Sequence, residues 1–301
     1  MNTTKYIWQN NKFIPWDDAK THVLTHSLHY GSGAFEGIRA YATDKGTAIF
    51  RLPEHIKRLF YSISCIDMQL PYTEKEICEI TLKLVAMNEL KECYIRPLAY
   101  YGYGKMGVNP IGAPPEIAIA CWAWDSYIAH PSVDLKVSEY VRIPRSVSIA
   151  DAKLTGNYLN SILGLLKIKG THYHETLFLD IDGYLAEGSA DNIFVIKNNK
   201  IYTPRLGSIL AGITRQTAIE LAKDMGISVE EKNLKLEDIF TADEAFLTGT
   251  AIEIMPIRSI DDKLLGSGEA GKITKNIQKN YLDLVRGKHT NPKFQDYLAF
   301  V

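Results

Sequence analysis

Apolar residues recur along this chain at two spacings, and the switching between them predicts a mixture of helices and strands. Pro53 suits a first helical position, and Ile56, Leu59, Phe60 and Ile63 continue from it as a stripe at helical spacing. Thr73 and Glu76 make a capping box ahead of Ile77, Ile80, Leu84 and Val85, so two helices occupy roughly residues 53 to 90. Tyr94 to Tyr101 and Glu116 to Trp122 are dense in apolar and aromatic residues and read as strands. Between them, Gly102 to Pro115 has too many glycines and prolines for a regular element. Further on, Leu135 to Ile143 and Leu177 to Ile181 read as strands and Asn157 to Lys169 as a helix. Asn192 to Ile196 and Ile201 to Thr203 form a hairpin around Asn198-Asn199, and a helix opens at Thr214. A last helix spans Ile273 to Val285, with Ile273, Ile277, Tyr281 and Leu284 on one side.

A short polar stretch with Pro131 interrupts this pattern. It predicts a smaller α/β domain over residues 1–124, a linker over 125–134 and a larger domain over 135–301. With 301 residues, 46% of them hydrophobic, the chain has ample material for two cores and no composition of disorder. Lys+Arg 34 against Asp+Glu 35 leaves no basic footprint, so no nucleic-acid partner is expected. No apolar run approaches the roughly 20 residues that cross a bilayer, and Met1 to Trp16 is polar. The expectation is a soluble, cytoplasmic protein that does not engage membrane. Cys65, Cys78, Cys93 and Cys121 stand far apart and read as reduced core residues.

Candidate chemistry is sparse when each motif is taken alone. Gly102-Tyr-Gly104-Lys-Met-Gly107 and Gly266-Ser-Gly268-Glu-Ala-Gly271 both fit G-x-G-x-x-G. Proline breaks any helix after the first, and after the second the chain ends too soon for a βαβ unit. His26 with His29, and His172 with His174, have no acidic or cysteine ligand at metal spacing and read as structural, so no metal is expected. Lys153 lies between a strand region and a helix, where a lone lysine is ordinarily a solvated charge. Its company is less ordinary. Glu187 sits among strands, Gly212-Ile213-Thr214-Arg215 opens a helix whose free amides suit an anion, and Thr248-Gly249-Thr250-Ala251 closes a strand with small residues. A lysine, an acid and two phosphate-type loops together suggest pyridoxal phosphate.

At these residues the chain resembles the branched-chain amino-acid aminotransferases. The likeness is carried, in order, by His29-Tyr30-Gly31, Phe35-Glu36-Gly37-Ile38-Arg39-Ala40-Tyr41, Tyr94-Ile95-Arg96-Pro97, Gly107-Val108-Asn109-Pro110, Lys153-x-x-Gly156-Asn157-Tyr158, and the block from Glu187 to Arg215. Ala211 stands where many relatives have proline. The resemblance implies an α+β, two-domain fold type IV enzyme, D-amino-acid-aminotransferase-like, with pyridoxal 5'-phosphate in the interdomain cleft. It implies that Lys153 is catalytic and holds the cofactor as an imine, and that Glu187 faces the pyridine nitrogen in preference to Asp180 or Asp182. Arg58, the amides of Ile213 and Thr214, and Thr250 would bind the phosphate, with Tyr158 also against the cofactor. The substrate α-carboxylate would lie on the amides of Thr250 and Ala251 with help from Tyr94. Phe35, Tyr158, Trp124 and Tyr127 would form an apolar pocket, Tyr30 and Val108 would enter from a partner subunit, and Arg96 would meet the distal carboxylate of glutamate. The implied reaction moves the amino group of L-leucine, L-isoleucine or L-valine to 2-oxoglutarate, giving L-glutamate, in a homodimer or a hexamer. Rival readings are a D-amino-acid aminotransferase or aminodeoxychorismate lyase of the same fold, and a non-enzymatic phosphate-ligand module.

Overall fold

The computed structural model of the protein describes residues 3–124 and 130–301. They divide into two compact units, each built on its own sheet. The first comprises Met1–Asp125, Ala152–Gly156 and Leu284–Val301, and the second Ser126–Asp151 and Asn157–Asp283. This differs from the single cut over 125–134 that the sequence suggested, because Lys153 falls in the first unit. The reason is local: Leu154 forms a β-bridge with Ala34, and the Phe35 N–H donates to the Lys153 carbonyl at 3.1 Å. Of the expected linker, residues 125–129 lie outside those described, and Val133 already begins a strand.

In the first unit an antiparallel sheet runs in the order Leu298–Phe300, Gly46–Phe50, Ile38–Thr43, Cys93–Tyr101, Pro115–Ala123, Tyr6–Gln9 and Lys12–Pro15, with Gly33–Phe35 added against Cys93–Tyr101. Helix α1 is His26–Tyr30, α2 is Leu52–Ser64 and α3 is Glu74–Met87. Pro53 sits in the first turn of α2, and Thr73 and Glu76 cap α3 reciprocally, as the pattern predicted. Leu52, Ile56, Leu59 and Ile63 of α2, with Ile77, Leu84 and Val85 of α3, share a core with Ile38, Ile49, Ile95 and Ile119. Burial of each such side chain contributes about 1.5–3 kcal/mol, which fixes the polar face of α2 as firmly as its apolar one.

The second unit holds a mixed sheet in the order Leu185–Gly188, Glu175–Leu179, Val133–Val137, Glu253–Ile260, Glu244–Gly249, Asn192–Lys197, Lys200–Thr203 and Val229–Glu231. A further pairing of Glu187 with Asn192 closes the first six of these strands into a ring. Its core contains Val133, Leu135, Leu177, Ile193, Leu247 and Ile257. The hairpin turns at Asn198 and Asn199 with φ of 52° and 59°, the left-handed pair that a two-residue turn requires. The strand expected to reach Ile143 stops at Val137, where the Ser138 hydroxyl accepts from the Tyr140 N–H and turns the chain. Helices α4 (Tyr158–Lys167), α5 (Ile213–Asp224), α6 (Leu236–Phe240) and α7 (Lys272–Val285) complete the elements. Among the described residues, no helix is long and apolar enough to cross a membrane.

Candidate active site

Lys153 is positioned by backbone contacts rather than by its neighbours in sequence. Its N–H donates to Ser62 Oγ at 2.9 Å, and that hydroxyl donates in turn to the Arg58 carbonyl on α2. On the other flank, Thr155 Oγ1 donates to the Gly31 carbonyl at 2.7 Å and accepts from the Gly33 N–H at 3.1 Å. Gly31 and Gly156 touch face to face. A Cβ on Gly31, whose φ is +63°, would stand 2.9 Å from Gly156 Cα, and one on Gly156 would stand 3.3 Å from the Gly31 oxygen.

The half-buried side chain of Lys153 then lies with Nζ 5.0 Å from the centroid of the Phe35 ring. The Arg96 guanidinium is 4.8 Å from the same centroid and 5.2 Å from that of Tyr94, whose hydroxyl accepts from Arg96 Nη2 at 3.1 Å. Arg96 Nε is buried without a hydrogen-bond partner among the described residues. Trp124 stacks on Tyr94 at 4.6 Å, and Gly37 leaves room for the Tyr94 hydroxyl, which a Cβ would meet at 2.0 Å. The first unit therefore brings Phe35, Tyr94, Arg96, Trp124 and Lys153 together. Tyr127 lies outside the described residues. Tyr30 and Val108 are exposed, and buried His26 ties their segments by hydrogen bonds to Ser32 Oγ (2.6 Å) and the Gly107 carbonyl (2.7 Å).

Arg58 is not the solvated arginine that a helix surface would suggest, since its side chain is only 12% exposed. Its Nε and Nη2 donate to the two oxygens of Glu36 at 2.6 and 2.8 Å, and His55 Nδ1 meets Glu36 Oε2 at 2.8 Å. Burial alone would push the Glu36 carboxyl up, but the charge and hydrogen bonds of Arg58, helped by His55, hold it well below the usual carboxylate range. Burial also drives the His55 imidazole down; the Glu36 contact opposes this, while the charges of Arg58 and Lys153 reinforce it.

In the second unit Glu187 is buried at the point where the strand ring closes. Its Oε1 accepts from Arg142 Nε at 2.7 Å, and its Oε2 from Asn192 Nδ2 at 3.0 Å and the Leu210 N–H at 3.2 Å. Arg142 Nη1 donates to Ser161 Oγ, and Ser161 Oγ to the Ser189 carbonyl. Ser189 in turn donates through both its N–H and its hydroxyl to Glu175. Burial raises the Glu175 carboxyl against these donors, the Thr176 N–H and the charge of Arg142. Arg142 thus pairs directly with Glu187 and reaches Glu175 only through the Ser161 and Ser189 relay, which leaves the Glu187 carboxylate as the group suited to face a cation such as a protonated ring nitrogen. By contrast Asp180 only shapes a turn, accepting from the N–H groups of Asp182 and Tyr184.

Asn192 also anchors the helix expected to bind an anion. Its Nδ2 donates to the Leu210 carbonyl, and its Oδ1 fills the space where a Gly212 Cβ would stand, at 2.0 Å. Gly212 is the N-cap of α5 and offers no side-chain oxygen, so the amides of Ile213 and Thr214 open the helix without a side-chain cap. In the second loop Thr248 Oγ1 is buried without a hydrogen-bond partner among the described residues, and Thr250 and Ala251 are half-buried beside it. Tyr158 opens α4 and is half-buried. These features fit a phosphorylated, nitrogen-protonated aromatic cofactor. Among the described residues no group of three His, Cys, Asp or Glu is placed to hold a metal, and His172 and His174 contact Asp262 and the Asp134 N–H instead.

Residues 33–260 match the family model described as amino-transferase class IV. The chain belongs to the class IV aminotransferases. The branched-chain-amino-acid aminotransferase of Pseudomonas aeruginosa is 44% identical over 286 residues, 94% of this aminotransferase and 93% of the relative. Two crystal structures of the T.th. branched-chain amino acid aminotransferase superpose with a TM-score of 0.95. One, complexed with N-(5'-phosphopyridoxyl)-L-glutamate, is 40% identical and covers 99% of this chain and 98% of that one. The other, with pyridoxamine 5'-phosphate, is 39% identical and covers 100% and 99%. The fold type, the aminotransferase activity and the pyridoxal-phosphate cofactor read from the sequence are borne out by this membership. Sequence reasoning did not single out Glu36, His55, Arg142 or Asn192. Glu36 and Asn192 lie inside quoted motifs, whereas Arg142, 45 positions from the acid it pairs with, carries no local signal.

Proposed function

We propose that this aminotransferase moves the amino group of L-leucine, L-isoleucine or L-valine to 2-oxoglutarate, using Lys153 as its catalytic residue. The observation that carries this reading is the convergence on one ring: the Lys153 amine and the Arg96 guanidinium lie 5.0 and 4.8 Å from the centroid of Phe35. An enzyme that takes leucine in one half-reaction and glutamate in the other needs an apolar wall and a cation beside a single amine. When bound, pyridoxal phosphate supplies an electrophilic carbon and a sink for the electrons of the substrate Cα–H bond.

The chain's own groups do the rest. Lys153 Nζ would hold the cofactor and would move a proton to and from the substrate α-carbon. Glu187, paired with Arg142 at 2.7 Å, would hold a proton on the ring nitrogen. Arg58, the amides of Ile213 and Thr214, and Thr250 bind the phosphate, and Tyr158 lies against the cofactor. Tyr94 and the amides of Thr250 and Ala251 orient the α-carboxylate. Phe35, Trp124, Tyr127 and Tyr158 receive an aliphatic side chain, and Arg96 the distal carboxylate of glutamate. Exposed Tyr30 and Val108 support a homodimer or larger homo-oligomer in which they complete the partner's pocket. Four free cysteines, two of them buried, support a cytoplasmic location.

The test is borohydride reduction with peptide mapping, followed by assay with L-leucine, D-alanine and aminodeoxychorismate. The expected result is label on Lys153 and turnover of L-leucine with 2-oxoglutarate. No label, or turnover of D-alanine or aminodeoxychorismate in place of leucine, refutes the reading.

A further inference from the structure

The Glu36 side chain is fully buried, yet neither the sequence motif nor the proposed reaction gives it work. It meets Arg58 along the edge formed by Nε and Nη2, so the edge formed by Nη1 and Nη2 is the one turned away from it. That second edge is the one suited to forked contact with a phosphate. His55 holds the same carboxylate from the side, donating from Nδ1 to Oε2, and is itself buried on α2 one turn before Arg58. Arginine has several rotatable bonds, and ordering such a side chain at the moment of binding costs affinity. A carboxylate already gripping one edge removes that cost in advance.

We propose that Glu36 is a positioning residue that sets the orientation of Arg58 for the cofactor phosphate, with His55 fixing Glu36. This rests on the proposed cofactor reading. Glu36 also accepts from the Gly37 N–H at 3.3 Å, a contact to the backbone of its own chain neighbour; the effect that runs through Arg58 should be confined to ligands that carry the phosphate.

The discriminating measurement is the affinity of the full-length, cofactor-stripped protein for pyridoxal phosphate against pyridoxal. Glu36→Gln is expected to raise Kd for pyridoxal phosphate about tenfold or more, the cost of ordering a rotamer-rich side chain and losing a charged contact. Kd for pyridoxal should stay within about twofold on the same argument. Glu36→Asp, which keeps the charge but is one methylene shorter, is measured alongside because it tolerates burial where the neutral variant would fail to fold. It should show the same pattern with a smaller loss. Equal weakening of both ligands would mean a merely structural role, and unchanged or improved pyridoxal phosphate binding would mean that Arg58 needs no such partner; either overturns the proposal. Borohydride labelling of Lys153 in the unsubstituted protein is the separate check on the cofactor reading, and its absence would remove the ground under both.

Discussion

Gly37 is where the fold and the pocket can be pulled apart with a single methyl group. A Cβ there would stand 2.0 Å from Tyr94 Oη and 2.9 Å from Cζ, whereas ordinary contact begins near 3.4 Å. Gly37 has no positive φ, so alanine brings no backbone strain and the whole effect must come from displacing the tyrosine. Tyr94 is 7% exposed and packed between Trp122 and Trp124, at 5.2 and 4.6 Å, which leaves it little room to retreat. Overpacking of this kind costs about 1–3 kcal/mol, which lowers Tm by roughly 2–10 °C for a protein of this size. Activity should suffer more. The hydroxyl that must move is the one accepting from Arg96, and a displacement of about 1 Å in a positioning group costs on the order of 10²-fold in rate. Gly37→Ala is therefore expected to lower kcat/KM for both leucine and glutamate about 10²-fold while the protein remains folded. Adding Tyr94→Phe removes the closest atom and should restore much of the Tm without restoring kcat/KM, because the Arg96 contact stays lost. Gly207→Ala, with nothing within 4 Å of its Cβ, is the control. A Gly37→Ala enzyme with unchanged melting and unchanged kcat/KM would refute the reasoning.

Four further outcomes can be checked. Glu187→Gln should retain cofactor but slow proton transfer in single-turnover kinetics, since a neutral amide cannot hold the ring proton; unchanged rates would refute its role. Arg142→Met leaves the buried Glu187 carboxylate without its paired cation and should cost about 3–5 kcal/mol in urea unfolding at neutral pH, a loss that a structural bystander would not show. The Glu36 carboxyl is depressed in the folded state, so its contribution is present above the unfolded pKa of about 4.3 and is lost as pH falls below it. Urea unfolding of the unsubstituted protein should accordingly steepen with acid below that point, and Glu36→Gln should remove part of the slope. His55 has the opposite chemistry but the same sign: the unfolded chain takes up a proton near pH 6.5 that the folded chain refuses. Stability should fall as pH drops through that region, and His55→Gln should flatten the fall.

Local order was legible wherever a short-range rule decided it. The capping box at Thr73, the proline at α2 and the asparagine turn at 198–199 each specify their element from within a few residues. The strand that ends at Val137 was overestimated because Leu135 to Ile143 is apolar enough in pattern, and only the Ser138 hydroxyl shows the turn. The placement of Lys153 with the first unit was not legible, since it depends on hydrogen bonds to residues far earlier in the chain, at Ser62 and Gly31. Among site residues, lysine, glutamate and the small-residue loops had motifs to announce them. The groups that orient them, Arg142 on Glu187 and Glu36 on Arg58, pair across distances in sequence that no periodicity spans.

The contact between Gly31 and Gly156 has a bearing on how this chain can change. Ordinarily a bulkier residue on one side of a contact can be accommodated by trimming the other. Here both sides are already at the minimum, so neither position has anything left to concede. Lys153, proposed above as the catalytic residue, thus keeps its station through two absent methyl groups. Drift or design that alters this seam must reroute the backbone itself, and with it the amine three residues upstream.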